Sequence, residues 1–201
     1  VIIIEKRWEI VYNKFNCGTE SICRPQREGI LASALFRKEF STMYTAKDIR
    51  NLALLGHGGD GKSALCESML YVTKAITRLG KRADGTTVSD FDDEEKKRQY
   101  SIKTSVIPVE FGGCKLNVLD NPGYFDFAAE IVQSLRVADA GLICLTAKSG
   151  IAVGTEKGWK SLADAGLPAM FYVSKLDEEH ANFFNTFDSL RDIFGASVIP
   201  F

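Results

Sequence analysis

The chain has 201 residues, is 45% hydrophobic and 25% charged, and carries a formal net charge of −1. That length and balance suit one sizeable globular domain, and near-neutrality gives no global field to draw the chain to DNA or an anionic membrane. No apolar run is long enough to cross a bilayer. Val1–Ile4 is followed at once by Glu5-Lys6-Arg7, the wrong order for a signal peptide. The expectation is a cytoplasmic protein with neither a membrane nor a direct DNA partner. The five cysteines (Cys17, Cys23, Cys66, Cys114, Cys144) are odd in number and fit no zinc spacing, so free thiols in a reducing compartment are expected.

Residues 1–42 show no clear period, and no chemistry attaches to them. Met43 sits just ahead of the organised region, which suggests it as a natural start, with a short extension packed on the domain as the rival. From there the elements follow in order. Ile49–Leu55 reads as a buried strand. Gly56-His57-Gly58-Gly59-Asp60-Gly61-Lys62-Ser63 follows, and Lys62–Leu79 reads as a helix closed by Gly80. Lys81–Lys103 is polar and charged, with the composition of a mobile loop carrying a helical patch; loops this long are usually functional. Its acidic run, Asp90–Glu95, reads as a solvated face rather than a metal site. Thr104–Phe111 and Lys115–Leu119, separated by Gly112-Gly113, read as a hairpin. Asp120–Phe127 is a turn, Ala128–Ala138 a helix, Ala140–Thr146 a buried strand and Thr155–Ala165 a helix. Leu167–Val173 is a strand, Glu178–Phe194 a helix ended by Gly195, and Ala196–Phe201 opens a further strand.

Strands alternating with helices, mostly as continuous apolar runs, predict an α/β fold: a mostly parallel sheet with helices on both faces. Ligands in such sheets sit at the carboxyl ends of the strands, where three of the turns above fall.

The first of these turns is a P-loop, because a strand precedes it and a helix follows. Its glycines let backbone N–H groups wrap a phosphate chain, with the helix N-terminus pointing at it. Lys62 is placed to reach the β/γ-phosphate oxygens and the Ser63 hydroxyl to ligate Mg²⁺. The bland alternative is a glycine-rich turn with a chance Lys-Ser. The second turn is Asp120-Asn121-Pro122-Gly123. A carboxylate there holds Mg²⁺ in P-loop enzymes, and Gly123 can offer its N–H to a γ-phosphate. Taken alone, the tetrapeptide is also a good β-turn. The third is Ser174-Lys175-Leu176-Asp177, where a carboxylate can accept two hydrogen bonds from guanine that adenine does not offer. In isolation, that stretch reads as an exposed loop. A fourth, weaker signal is Arg98-Gln99-Tyr100-Ser101-Ile102, whose hydroxyl could add a second side-chain oxygen for Mg²⁺ in a loop that orders with triphosphate.

Together these residues resemble the translational GTPase family, most closely elongation factor G and its elongation-factor-G-like branch. The family's G-H-x-x-x-G-K-[ST] looks like Gly56–Ser63, and its D-T-P-G-H-x-D-F looks like Asp120–Phe127. Its N-K-x-D looks like Ser174–Asp177, and its D-W-x-E-x-E-x-E-R-G-I-T-I looks like Asp90–Ile102. The resemblance runs from about residue 44 to 201. It implies a small-GTPase-like G domain over residues 43–201, lacking the family's final guanine-contacting loop. It further implies GTP and GDP as ligands, Mg²⁺ held by Ser63, Ser101 and Asp120, and a ribosomal partner met through a full-length parent. Catalysis falls to Lys62, Gly123 and Tyr124.

The departures bear on chemistry. Tyr124 replaces the histidine that orients the attacking water, and a phenol is a poor general base at neutral pH. Ser174 replaces Asn and can donate only once. Ser101 replaces Thr and keeps the hydroxyl. Gly59 and Asp60 shift the acidic residue of the loop by one place, and Gln99 replaces Gly. Three other readings stand beside a GTPase: a guanine-nucleotide module that does not hydrolyse, a P-loop ATPase or kinase, and a tetracycline-type ribosomal protection factor.

Overall fold

The computed structural model describes residues 2–4 and 44–200. Among the described residues, seven strands form one sheet: β1 (Ile2–Ile4), β2 (Ile49–Gly56), β3 (Ser105–Phe111), β4 (Cys114–Asp120), β5 (Ala140–Thr146), β6 (Ala169–Ser174) and β7 (Val198–Pro200), in the spatial order β3-β4-β2-β5-β6-β1-β7. The helices are α1 (Lys62–Val72), α2 (Asp93–Arg98), α3 (Ala128–Leu135), α4 (Val153–Asp164) and α5 (Phe183–Phe194). The centre of the sheet is parallel, with β2 between β4 and β5 and β6 beyond β5. β3 pairs antiparallel to β4 across the Gly112-Gly113 turn.

Alternation along the central strands explains why both faces are covered. In β2, Ala53 and Leu55 join one core with Leu162 of α4 and Leu190 of α5, while Leu52 and Leu54 join another with Cys66 and Leu70 of α1. β5 divides the same way, Ile143 and Leu145 against Ala140 and Leu142. A strand buried on both sides needs a continuous apolar run, and every residue of β5 is buried.

Differences from the sequence reading have local causes. The first helix ends at Val72, not Leu79: Thr73 turns its hydroxyl back to Met69 O and Leu70 O, and Lys74 takes a left-handed φ of 60°. The last long helix begins at Phe183, where the Asn182 side chain accepts from Asn185 N. The segment read as a loose loop is tied down by carboxylates. Glu67 of α1 accepts from Gly80 N and Val88 N, Glu95 of α2 from Ile102 N and Lys103 N, and Glu130 of α3 from Thr104 N. Within the acidic run, Asp92, Asp93 and Glu94 do not belong to the core, but Asp90 and Glu95 are buried at 2% and 1% exposure.

Ile2–Ile4 joins the sheet, with β1 paired antiparallel to both β6 and β7. Met43 and residues 5–42 lie outside the described residues. Cys66 and Cys144 are free and buried, whereas Cys114 is disulfide-bonded, so the expectation of free thiols fails there.

Candidate nucleotide site

The carboxyl ends of β2, β4 and β6 meet at a cleft of about 460 Å³. The loop after β2 is its floor. Gly56 has φ 135°, and a Cβ there would stand 2.3 Å from Cys144 O on β5, so only glycine lets the strand turn at that point. His57 N donates to Asp60 Oδ2 at 2.8 Å, closing the loop on itself. Burial pushes the Asp60 carboxyl above the ordinary carboxylate range, against the pull of that N–H. Lys62, at the start of α1, is buried, and its Nζ donates to Gly56 O at 3.0 Å and His57 O at 2.8 Å. Desolvation lowers its pKa, and the nearby Asp120 carboxylate pulls it back up.

Asp120 ends β4 at 1% exposure. The Ser63 hydroxyl donates to its Oδ2 at 2.7 Å, and its Oδ1 is buried with no partner. Burial raises its pKa, opposed first by the Ser63 bond and then by Lys62. An orphaned carboxylate oxygen beside a hydroxyl at the foot of a phosphate loop is a donor set that fits a hard cation such as Mg²⁺. The Asn121 side chain is occupied elsewhere: its amide donates to Leu54 O and Leu119 O, and its oxygen accepts from Thr104 Oγ1. Pro122 is buried beside it. Gly123 approaches the loop so closely that a Cβ would lie 2.6 Å from Gly58 N and 2.7 Å from Lys62 Nζ.

Tyr124 lies over the loop, since a Cβ on Gly58 would stand 3.1 Å from its Cζ. Its ring centroid is 4.8 Å from that of Tyr100, whose hydroxyl accepts from Arg98 Nη1. At the far end, the Ser174 hydroxyl sits 2.9 Å from Asp60 O and 3.1 Å from Leu145 O and donates its one hydrogen between them. It thus braces the phosphate loop from β6. Lys175 holds a left-handed φ of 53°, pairs with Glu178 at 3.2 Å and lines the cleft; Leu176 and Asp177 follow it on the exposed turn.

The cleft wall therefore includes Gly58, Gly59, Gly61, Lys62, Ser63, Ser101, Gly123, Tyr124 and Lys175 from the expected set. Gly56, Asp60, Asp120, Asn121 and Ser174 stand behind it as supports. Arg82 and Thr87 also line the wall, from a segment whose composition reads as solvated, and Gln99 and Tyr100 join them from the stretch that offers Ser101. Burial pushes the Cys144 thiol up to about 12 and Cys66 higher still, so neither is a nucleophile.

A parallel sheet carrying a glycine-rich loop between β2 and α1, with a buried acid at the end of the adjacent strand, defines a P-loop nucleotide-binding fold. The family model described as the elongation factor Tu GTP binding domain matches residues 47–198. The chain belongs to that family. It is 36% identical over 152 residues to an elongation factor G-like protein of Mycobacterium tuberculosis, covering 76% of this chain and 21% of that protein. It is 31% identical over 157 residues to elongation factor G of Dehalococcoides mccartyi, covering 78% and 23%. It is 35% identical over 155 residues to the mitochondrial ribosome-releasing factor 2 of Candida dubliniensis, covering 74% and 19%. A crystal structure of a protein from Thermus thermophilus superposes with a TM-score of 0.71 at 41% identity, over 73% of this chain and 22% of that one. The chain thus spans about a fifth of the length of the curated relatives it matches.

Proposed function

We propose that this chain binds GTP and GDP with Mg²⁺ and hydrolyses GTP, as the G domain of an elongation-factor-G-like translation factor. What supports the reading above all is convergence: the phosphate loop, Gly123 and Tyr124 of the Asp120 turn, and Lys175 of the Ser174–Asp177 turn, distant in sequence, line one cleft. The relatives' names speak of elongation and ribosome release, which makes the ribosome the proposed partner and the cytoplasm the proposed place of action. No helix among the described residues is long and apolar enough to cross a membrane.

On this reading, the loop N–H groups and Lys62 hold the phosphates, and Ser63, Asp120 and Ser101 hold the cation. When bound, Mg²⁺ supplies charge neutralisation at the β- and γ-phosphate oxygens. Lys62 gives up its bonds to Gly56 O and His57 O to reach a phosphate. Gly123 N–H faces the γ-phosphate side, and Tyr124 holds a water there through its hydroxyl rather than by taking its proton. Asp177 reads the base. Tyr124, packed on Gly58 and Tyr100, also favours a second reading: a guanine-nucleotide module with little hydrolysis of its own.

The test is a titration of the chain with fluorescent GDP in Mg²⁺, competed by ADP. Competition by GDP but not ADP is expected, and equal competition overturns the guanine assignment. Asp177→Asn should shift preference away from guanine. Unchanged GDP-over-ADP selectivity in that variant removes Asp177 from the base-reading role.

A further inference from the structure

Arg82 sits on a short 3-10 turn, Arg82–Asp84, closed by Lys81 N donating to Thr86 Oγ1 and Thr86 N to Lys81 O, and it reaches back across the cleft. Its Nη2 donates to Ser63 Oγ at 2.7 Å and lies 3.3 Å from Ser101 Oγ. Its Nε donates to Asp90 Oδ2 at 2.9 Å, and the Ser101 hydroxyl donates to Asp90 Oδ1 at 2.7 Å. A permanent positive charge therefore stands between the two hydroxyls that the proposed function assigns to a divalent cation, with the buried Asp90 as counter-ion. The hydroxyl of Ser63 gives its hydrogen to Asp120 and turns a lone pair to the guanidinium. A Mg²⁺ ion needs such an oxygen at about 2.0–2.1 Å, in near-octahedral geometry. A cation on the hydroxyl's second lone pair would stand close beside the guanidinium, so like-charge repulsion sets the two against each other.

We propose that Arg82 is a tethered competitor for the divalent cation: it holds the place between Ser63 and Ser101, and its loop withdraws before a cation bridges them. The inference rests on the proposed nucleotide function and adds a residue that sets how strongly nucleotide binding depends on Mg²⁺. The loop is suited to move as a unit. Gly80 N and Val88 N hang from Glu67, Arg82 and Thr87 between them bond to Asp90, and the Arg82 guanidinium ties the span to the hydroxyls of Ser63 and Ser101.

The experiment compares wild type with Arg82→Gln, which removes the charge but keeps donors for Asp90. Affinity for a fluorescent non-hydrolysable GTP analogue is measured in chelator and in millimolar Mg²⁺. The variant should gain about tenfold more from Mg²⁺ than wild type does, because no resident cation has to be displaced. Equal gain in both proteins, with binding intact, overturns the role of Arg82 and leaves the nucleotide reading standing. Failure of wild type to bind any guanine nucleotide overturns both. A second measurement uses wild type alone, so the proposal does not depend on the variant folding. Hydrogen exchange at residues 81–90 in the analogue-bound chain should rise when Mg²⁺ is added; unchanged or slower exchange counts against displacement.

Discussion

Gln99 shows how one residue can be placed against its own preference. It caps α2 with φ 58°, a conformation that disfavours any side chain with a Cβ, and it lines the nucleotide cleft. The strain is about 1–2 kcal/mol, and glycine returns part of the gain through its freer unfolded chain. Gln99→Gly should therefore stabilise the chain by up to about 1 kcal/mol, read as a higher midpoint in urea with an unchanged slope. A lower midpoint removes the strain argument. The sequence marked this position, because the resemblance placed glycine there. It gave no such mark for Arg82, whose meaning depends on Ser63 and Ser101, each 19 residues away along the chain. Ser174 stands between these cases. Its neighbours named it as part of a base-reading turn, but its hydrogen bond to the phosphate loop needed the sheet register to be seen.

At the scale of elements, the segment from residue 80 to 104 decides how the cleft is walled. Composition marked it as exposed, since Asp, Glu, Lys and Arg dominate it, and composition counts charges without counting the backbone N–H groups that absorb them. Glu67 carries two of those N–H groups from inside α1. Glu67→Ala should cost about 1–2 kcal/mol by leaving two part-buried donors without their acceptor, with a smaller loss for Glu67→Gln, which keeps one acceptor oxygen. Thermal melting gives the magnitude, and limited proteolysis should place the new cut between residues 80 and 88. Cuts elsewhere mean that Glu67 does not anchor this segment. Strand positions were far more legible than helix ends. Ala140–Thr146 reads the same from sequence and structure, because a doubly buried strand leaves an unbroken apolar run. The first helix overran by seven residues, because no proline or glycine marks the place where Thr73 and Lys74 turn the chain.

The molecule as a whole bears the cost of charges buried at the cleft. Burial raises the Asp60 carboxyl above its ordinary value, so the folded chain keeps a proton there that the unfolded chain releases. The stabilisation this brings is complete below the unfolded pKa of about 4 and is lost as pH rises through the higher folded value. Above that window the buried carboxyl opposes folding. Asp60→Asn keeps an oxygen for His57 N and should raise the melting temperature at neutral pH, with the difference from wild type shrinking toward about pH 4. A difference that stays constant across that range assigns the effect to something other than ionisation. The fold class and the position of the cleft were legible because strand ends and glycine turns are sequence-local. The electrostatic state of Asp60, Lys62 and Asp120 was not, because it depends on how completely three separate strands exclude water.

Lys62 is bonded to two carbonyls of its own loop, and Gly123 closes over it. The loop thus rests in a self-satisfied form that, on the proposed function, comes apart before a phosphate takes the ammonium group. Capture then has a unimolecular step ahead of or just after encounter, and its speed does not grow without limit as ligand is added. In stopped-flow mixing, the observed rate of GDP association should level off to a plateau set by loop opening. Weakening the closure, by any change that frees Lys62 from the carbonyls of Gly56 and His57, should raise that plateau while leaving the initial slope of encounter less affected.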